Sequence, residues 1–142
     1  MAVFTPMSEQ FAVSAQLTPE DVSAAADAGF KHLVCNRPDD EEPGQPDFAN
    51  ISASAAKLGM SVHHIPFDGA TLNGSVIDAM EHTLSTLDGP VLAYCRSGTR
   101  CSLAWSVLRV RAGDDIDDVQ STTRDAGYDL GPQRALILAL SG

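Results

Sequence analysis

The chain has 142 residues, 44% of them apolar, and carries a net charge of −10 from 19 acidic and nine basic side chains. That size suits one domain, residues 1–142, with a full core and no need of disulfide staples. The acidity argues against nucleic acid or an anionic membrane surface as partner, and no apolar run approaches the ~20 residues that cross a bilayer.

Three cysteines cannot all pair within one chain, and their spacing fits no zinc site, so no metal or other cofactor is expected. No basic-then-apolar secretory pattern opens the sequence, and the expected compartment is the reducing cytoplasm.

A short apolar segment around Phe11-Ala12-Val13 comes first. Thr18-Pro19-Glu20-Asp21 then reads as a helix start, with an N-cap hydroxyl, proline in the first turn and early acids. Gly29 is placed to end that helix. Lys31–Asn36 reads as a buried strand, and Arg37–Pro46 as a loop whose prolines forbid regular structure. Asp47 caps a helix to Leu58, and Ser61–Phe67 is the next strand, ended by Pro66. Asp68–Gly74 forms a loop before a helix of about Ser75–Leu87, where Val76, Ile77, Met80, Leu84 and Leu87 recur at helical spacing. Pro90–Tyr94 is a buried strand and Cys101–Ala112 a helix. Two more helices follow, about Ile116–Asp125 and Pro132–Leu140. Strands alternating with helices predict an α/β fold with a mainly parallel sheet flanked by helices. Ligands of such sheets sit at the carboxyl ends of the strands.

Cys95-Arg96-Ser97-Gly98-Thr99-Arg100 falls at such an end. A helix start offers unpaired N–H groups and a positive dipole end, which stabilise an anion or a thiolate. A cysteine held this way has a pKa of roughly 3.5–7.5. Gly98 lets successive amides face inward, and Arg100 adds a planar, permanent charge suited to an oxyanion. The loop residues Arg96, Ser97, Gly98, Thr99, Cys101 and Ser102 form the candidate anion site. Arg37 ends a strand on the same side, to hold an anion or to pair with Asp39 or Asp40. Cys101 packs under the loop, or else resolves a persulfide or forms a protective disulfide. Cys35 and Trp105 read as core. The acidic runs at 39–42 and 114–118 read as solvated loops and helix starts.

The loop Tyr94–Arg100 resembles that of rhodanese-type sulfurtransferases, whose cysteine carries a persulfide. The wider chain resembles the phosphatase-like domain of beta-lactamase hydrolase-like proteins, related to protein tyrosine and dual-specificity phosphatases. That second resemblance rests on Asn36-Arg37-Pro38-Asp39 with Glu42-Pro43-Gly44-Gln45-Pro46, on His64-Ile65-Pro66, and on Pro90 through Arg100, and covers about residues 13–112. A rhodanese domain returns to the sheet after its loop helix, whereas Gly113–Gly142 holds no strand-like run, which favours the tyrosine-phosphatase-like architecture.

The chemistry reads differently. Only four residues separate Cys95 from Arg100, one fewer than in tyrosine-phosphatase loops, and Tyr94 and Cys101 replace the usual histidine and hydroxyl residue. A phosphatase also needs an acid for the departing alkoxide. The resemblance points to Asp68, with Asp39 and Asp40 as alternatives, each more simply a turn carboxylate. The expected activity is therefore sulfane-sulfur transfer through a Cys95 persulfide to a thiol acceptor. Phosphomonoester hydrolysis through a Cys95 thiophosphate is the alternative. A non-catalytic oxyanion-binding or redox-sensing module is the third reading.

Overall fold

A computed structural model describes residues 2–142. Its sheet has five strands in the order β1-β2-β5-β3-β4, formed by Thr5–Ser8, Phe11–Ser14, Val91–Tyr94, His32–Cys35 and Ser61–His64. Strands β2, β5, β3 and β4 are parallel; β1 pairs antiparallel with β2. The sheet is mainly parallel, as the alternation predicts. Strand β1 is absent from the sequence reading because only Met7 of its four residues is buried and Pro6 interrupts it. Proline is tolerated there because β1 is an edge strand, with a register shift between Pro6 and Ser8.

Helices α1 (Pro19–Asp27) and α2 (Phe48–Lys57) bury Val22, Ala25, Ile51 and Ala55 on one face with Leu33, Leu92 and Tyr94. Helices α3 (Gly74–Ser85), α4 (Thr99–Arg111), α5 (Ile116–Asp125) and α6 (Arg134–Ser141) cover the other with Ile77, Met80, Trp105, Val119 and Ile137. Successive strand residues point to opposite faces. Tyr94 therefore lies under α1 and α2 with Cys35, while Cys95 emerges on the α4 side. All four residues of β5 are buried, as expected of a central parallel strand.

The caps lie close to where the sequence puts them. Thr18 and Asp21 form a reciprocal capping box, and Asp47 accepts from Asn50 N. Helix α3 starts at Gly74 because Asn73 caps it through Val76 N. No strand follows β5 among the described residues; a 3₁₀ turn, Gly131–Gln133, leads into α6. Beyond the strand ends, Asn36 N donates to Tyr94 O and Phe67 N to Asn36 O, at 2.9 and 3.2 Å. These bonds bring Arg37, Asp68 and Cys95 to one edge of the sheet.

Candidate active site

Strand β5 ends at Tyr94, and the chain turns through Cys95–Gly98 into α4. Gly98 is the N-cap, with φ 96°, a left-handed conformation that side chains disfavour. Its amide donates to Cys95 Sγ at 3.1 Å. The Cys101 thiol, fully buried, is the strongest influence on the Cys95 sulfur. Against the cost of burial, that thiol and the amides of Cys101, Gly98 and Ser97 lower the Cys95 pKa from 9.0 to about 5. Burial holds Cys101 itself protonated, so it is a donor to the thiolate. The Gly98 amide thus points at the sulfur.

Cys95 itself is only 1% exposed, so the sulfur does not stand open to solvent. Iodoacetamide alkylation of Cys95 is expected to follow an inflection near pH 5 and to run more slowly than a free thiolate would. Cys101→Ala should move that inflection upward. An inflection above pH 8 in the wild type would contradict an ionised resting sulfur.

The guanidinium of Arg100 does not wait open for an anion. Both its terminal nitrogens donate to Glu41, each at 2.8 Å, and Nη1 also donates to Phe67 O at 3.0 Å. The same guanidinium reaches Cys95. Arg100 foremost, with Arg37, holds the Glu41 carboxyl at about 2, below its usual 4.5. Arg37 is 1% exposed and fully engaged: Nε on Glu41, Nη1 on Gln16 and Nη2 on Glu42. Neither expectation for Arg37 holds. Each of its nitrogens already donates to a protein partner in a site closed to solvent, and its acidic partners are Glu41 and Glu42 rather than Asp39 or Asp40. Arg96 is largely exposed and meets Glu42 at 3.6 Å.

Glu41 and Glu42 were expected among solvated loop acids, yet they strap three arginines together. The signal was available: Glu41 lies four residues after Arg37, and Pro38, Pro43 and Pro46 stiffen the loop that holds them. Asp39 lies elsewhere, its Oδ1 accepting from Phe48 N at the start of α2. Asp68 Oδ1 accepts from Ala70 and Thr71 N, while Oδ2 has no protein partner among the described residues. Asp68 adjoins Phe67, whose carbonyl Arg100 holds.

Ser97 Oγ and Thr99 Oγ1 lie 3.0 Å apart on the exposed rim. Ser102, expected at the anion, is fully buried, and its hydroxyl donates back to Gly98 O at 2.8 Å. Cys35 and Trp105 are core, as expected. His64 stacks on Phe48, and no group of three or more potential metal ligands occurs among the described residues. No helix among them is long and apolar enough to cross a membrane.

Residues 3–112 match the sequence profile of the beta-lactamase hydrolase-like protein, phosphatase-like domain. The chain belongs to that family. The phosphatase-like domain is 30% identical over 126 residues to a beta-lactamase hydrolase-like protein of Xylella fastidiosa, covering 88% of this chain and 29% of that protein. A relative of the same description from Agrobacterium fabrum is 32% identical over 130 residues, 87% of this chain and again 29% of its own length. The chain thus spans under a third of these relatives.

Among solved structures, a candidate phosphatase from Neisseria meningitidis superposes with a TM-score of 0.88 at 34% identity, over 96% of both chains. Kinase-associated phosphatase superposes at 0.77 with 15% identity, covering 97% of this chain and 91% of its own, a likeness of fold alone. The phosphatase-like domain accordingly has the tyrosine-phosphatase fold predicted for it. These likenesses do not bear out a rhodanese relationship for the loop.

Proposed function

We propose that this domain is a cysteine-dependent phosphomonoester hydrolase acting on a small anionic substrate. The observation that carries the reading is the Cys95 sulfur just before α4, accepting the Gly98 amide at 3.1 Å on the loop that Arg100 closes. The family and the fold favour phosphoryl chemistry over the sulfur transfer that loop length alone suggests. Sulfur transfer keeps in its favour the four-residue spacing and the Tyr94 and Cys101 that replace the usual histidine and hydroxyl residue.

In the proposed reaction the Cys95 thiolate attacks phosphorus, and the S–P bond forms as the ester P–O bond breaks. The electron pair leaves on the alkoxide oxygen, which takes a proton from Asp68. Asp68 is preferred to Asp39 because it adjoins Phe67, whose carbonyl Arg100 holds, whereas Asp39 sits at the start of α2. Water then attacks the thiophosphate, yields its proton to Asp68, and releases phosphate and thiolate. Loop amides and Arg100 neutralise charge on the equatorial oxygens. Glu41, gripping both terminal nitrogens, fixes the position of the guanidinium.

The test is to incubate the protein with an aryl phosphate and, separately, with thiosulfate, then weigh the acid-quenched chain. Phosphate release with a phosphoryl adduct on Cys95 is expected. An added sulfur atom on Cys95 without phosphate release would establish sulfur transfer instead. Inertness to both, with oxyanion binding retained, would leave a binding module.

A further inference from the structure

Tyr128 lies 31 residues after Ser97, outside the residues that match the family profile, and touches the loop at the Ser97 carbonyl. Its hydroxyl donates to Ser97 O at 3.0 Å. Ser97 C=O and Gly98 N–H belong to one planar trans peptide and point in opposite directions. The other end of that peptide, Gly98 N–H, is the donor to Cys95 Sγ at 3.1 Å. We infer that Tyr128 is a positioning residue that locks the Ser97–Gly98 peptide with its N–H toward the Cys95 sulfur.

Glycine makes such a lock necessary. With φ 96°, Gly98 sits in a left-handed well, and turning the peptide over would bring φ to the negative side, which glycine accepts as readily. The turned peptide would present a carbonyl oxygen to the thiolate, replacing attraction with repulsion. The phenol hydrogen bond holds the carbonyl outward. Contact is close enough that a Cβ on Gly98 would lie 2.3 Å from the Tyr128 hydroxyl oxygen. Tyr128 is itself held: its amide donates to Thr123 O at 2.8 Å, and Gly127, with φ 102°, turns the chain after α5. Burial and the negative charge on Cys95 keep the phenol protonated, as a donor must be.

The inference rests on Cys95 as the working thiolate, but its test needs no substrate. Tyr128→Phe removes only the hydroxyl. The alkylation inflection of Cys95 is expected to rise by about one pH unit, the scale of one lost hydrogen bond to the charged form. A melting temperature lowered without movement of that inflection would overturn the inference and leave Tyr128 a packing residue. If the variant does not fold, the wild-type protein carries the test by NMR. The Gly98 amide proton resonance should titrate together with Cys95, and a resonance indifferent to that ionisation would overturn the lock. A shifted inflection in a protein that hydrolyses no phosphate ester would uphold the lock and refute the hydrolase reading.

Discussion

Cys95→Ser is expected to lower aryl phosphate turnover by at least about 10⁴-fold, while phosphate binding persists. Knocking out the nucleophile of a covalent hydrolase costs about this much or more, leaving only what the oxyanion site and binding supply. The size of the effect follows from how this sulfur is activated. Cys95 needs no base, since the Cys101 thiol and three loop amides leave it ionised above about pH 5. A serine hydroxyl under the same donors stays protonated at neutral pH and is a weak nucleophile. The amides and Arg100 are untouched, so calorimetry should still register phosphate. Retention of more than about one per cent of the rate would refute covalent catalysis through Cys95.

Linked to this is a pH dependence of stability. The folded pKa of Cys95 lies below its unfolded value, so its stabilising contribution is complete above about pH 9. It drains away as the pH falls from there toward 5.

Arg100→Lys is expected to lower kcat/KM by about 10²–10³-fold, the cost of removing one oriented oxyanion donor. Lysine keeps the charge but not the fork. In the wild type the fork is divided: two nitrogens grip the two Glu41 oxygens, Nη1 also holds Phe67 O, and the guanidinium still reaches Cys95. One ammonium cannot serve both edges, so the charge would swing to Glu41 and leave the loop.

The same variant should be more sensitive to acid. Glu41 is depressed to about 2, so its stabilising contribution is present above pH 4.5 and lost as the pH falls toward 2. An ammonium keeps a charge beside Glu41 but replaces two hydrogen bonds with one, so the lower bound rises and acid unfolding should begin at a higher pH. Initial rates and acid titrations followed by circular dichroism read the two effects. A lysine variant with wild-type kcat/KM would remove Arg100 from the reaction.

Much of the scaffold was legible because its signals are local. Thr18, Asp47 and Gly29 mark helix ends through hydrogen bonds three or four residues long, and α5 runs over Ile116–Asp125 as its spacing predicts. Strand ends were read too long. Pairing stops at His64, although Ile65 and Phe67 still donate to the neighbouring segment irregularly around Pro66, which has no amide proton.

The order of residues around Cys95 by itself determined that a thiolate would stand at a helix start beside a guanidinium. Its partners a few positions away, Gly98 and Cys101, are fixed by the turn of one helix. What Arg100 holds, Glu41 fifty-nine residues earlier, only the sheet could decide. Inserting β5 between β2 and β3 brings the loop after β3 beside the cysteine loop. Tyr128 likewise reaches Ser97 only because α5 and α6 fold back over α4. Such contacts carry no periodicity and no spacing rule, since they depend on which apolar faces bury one another.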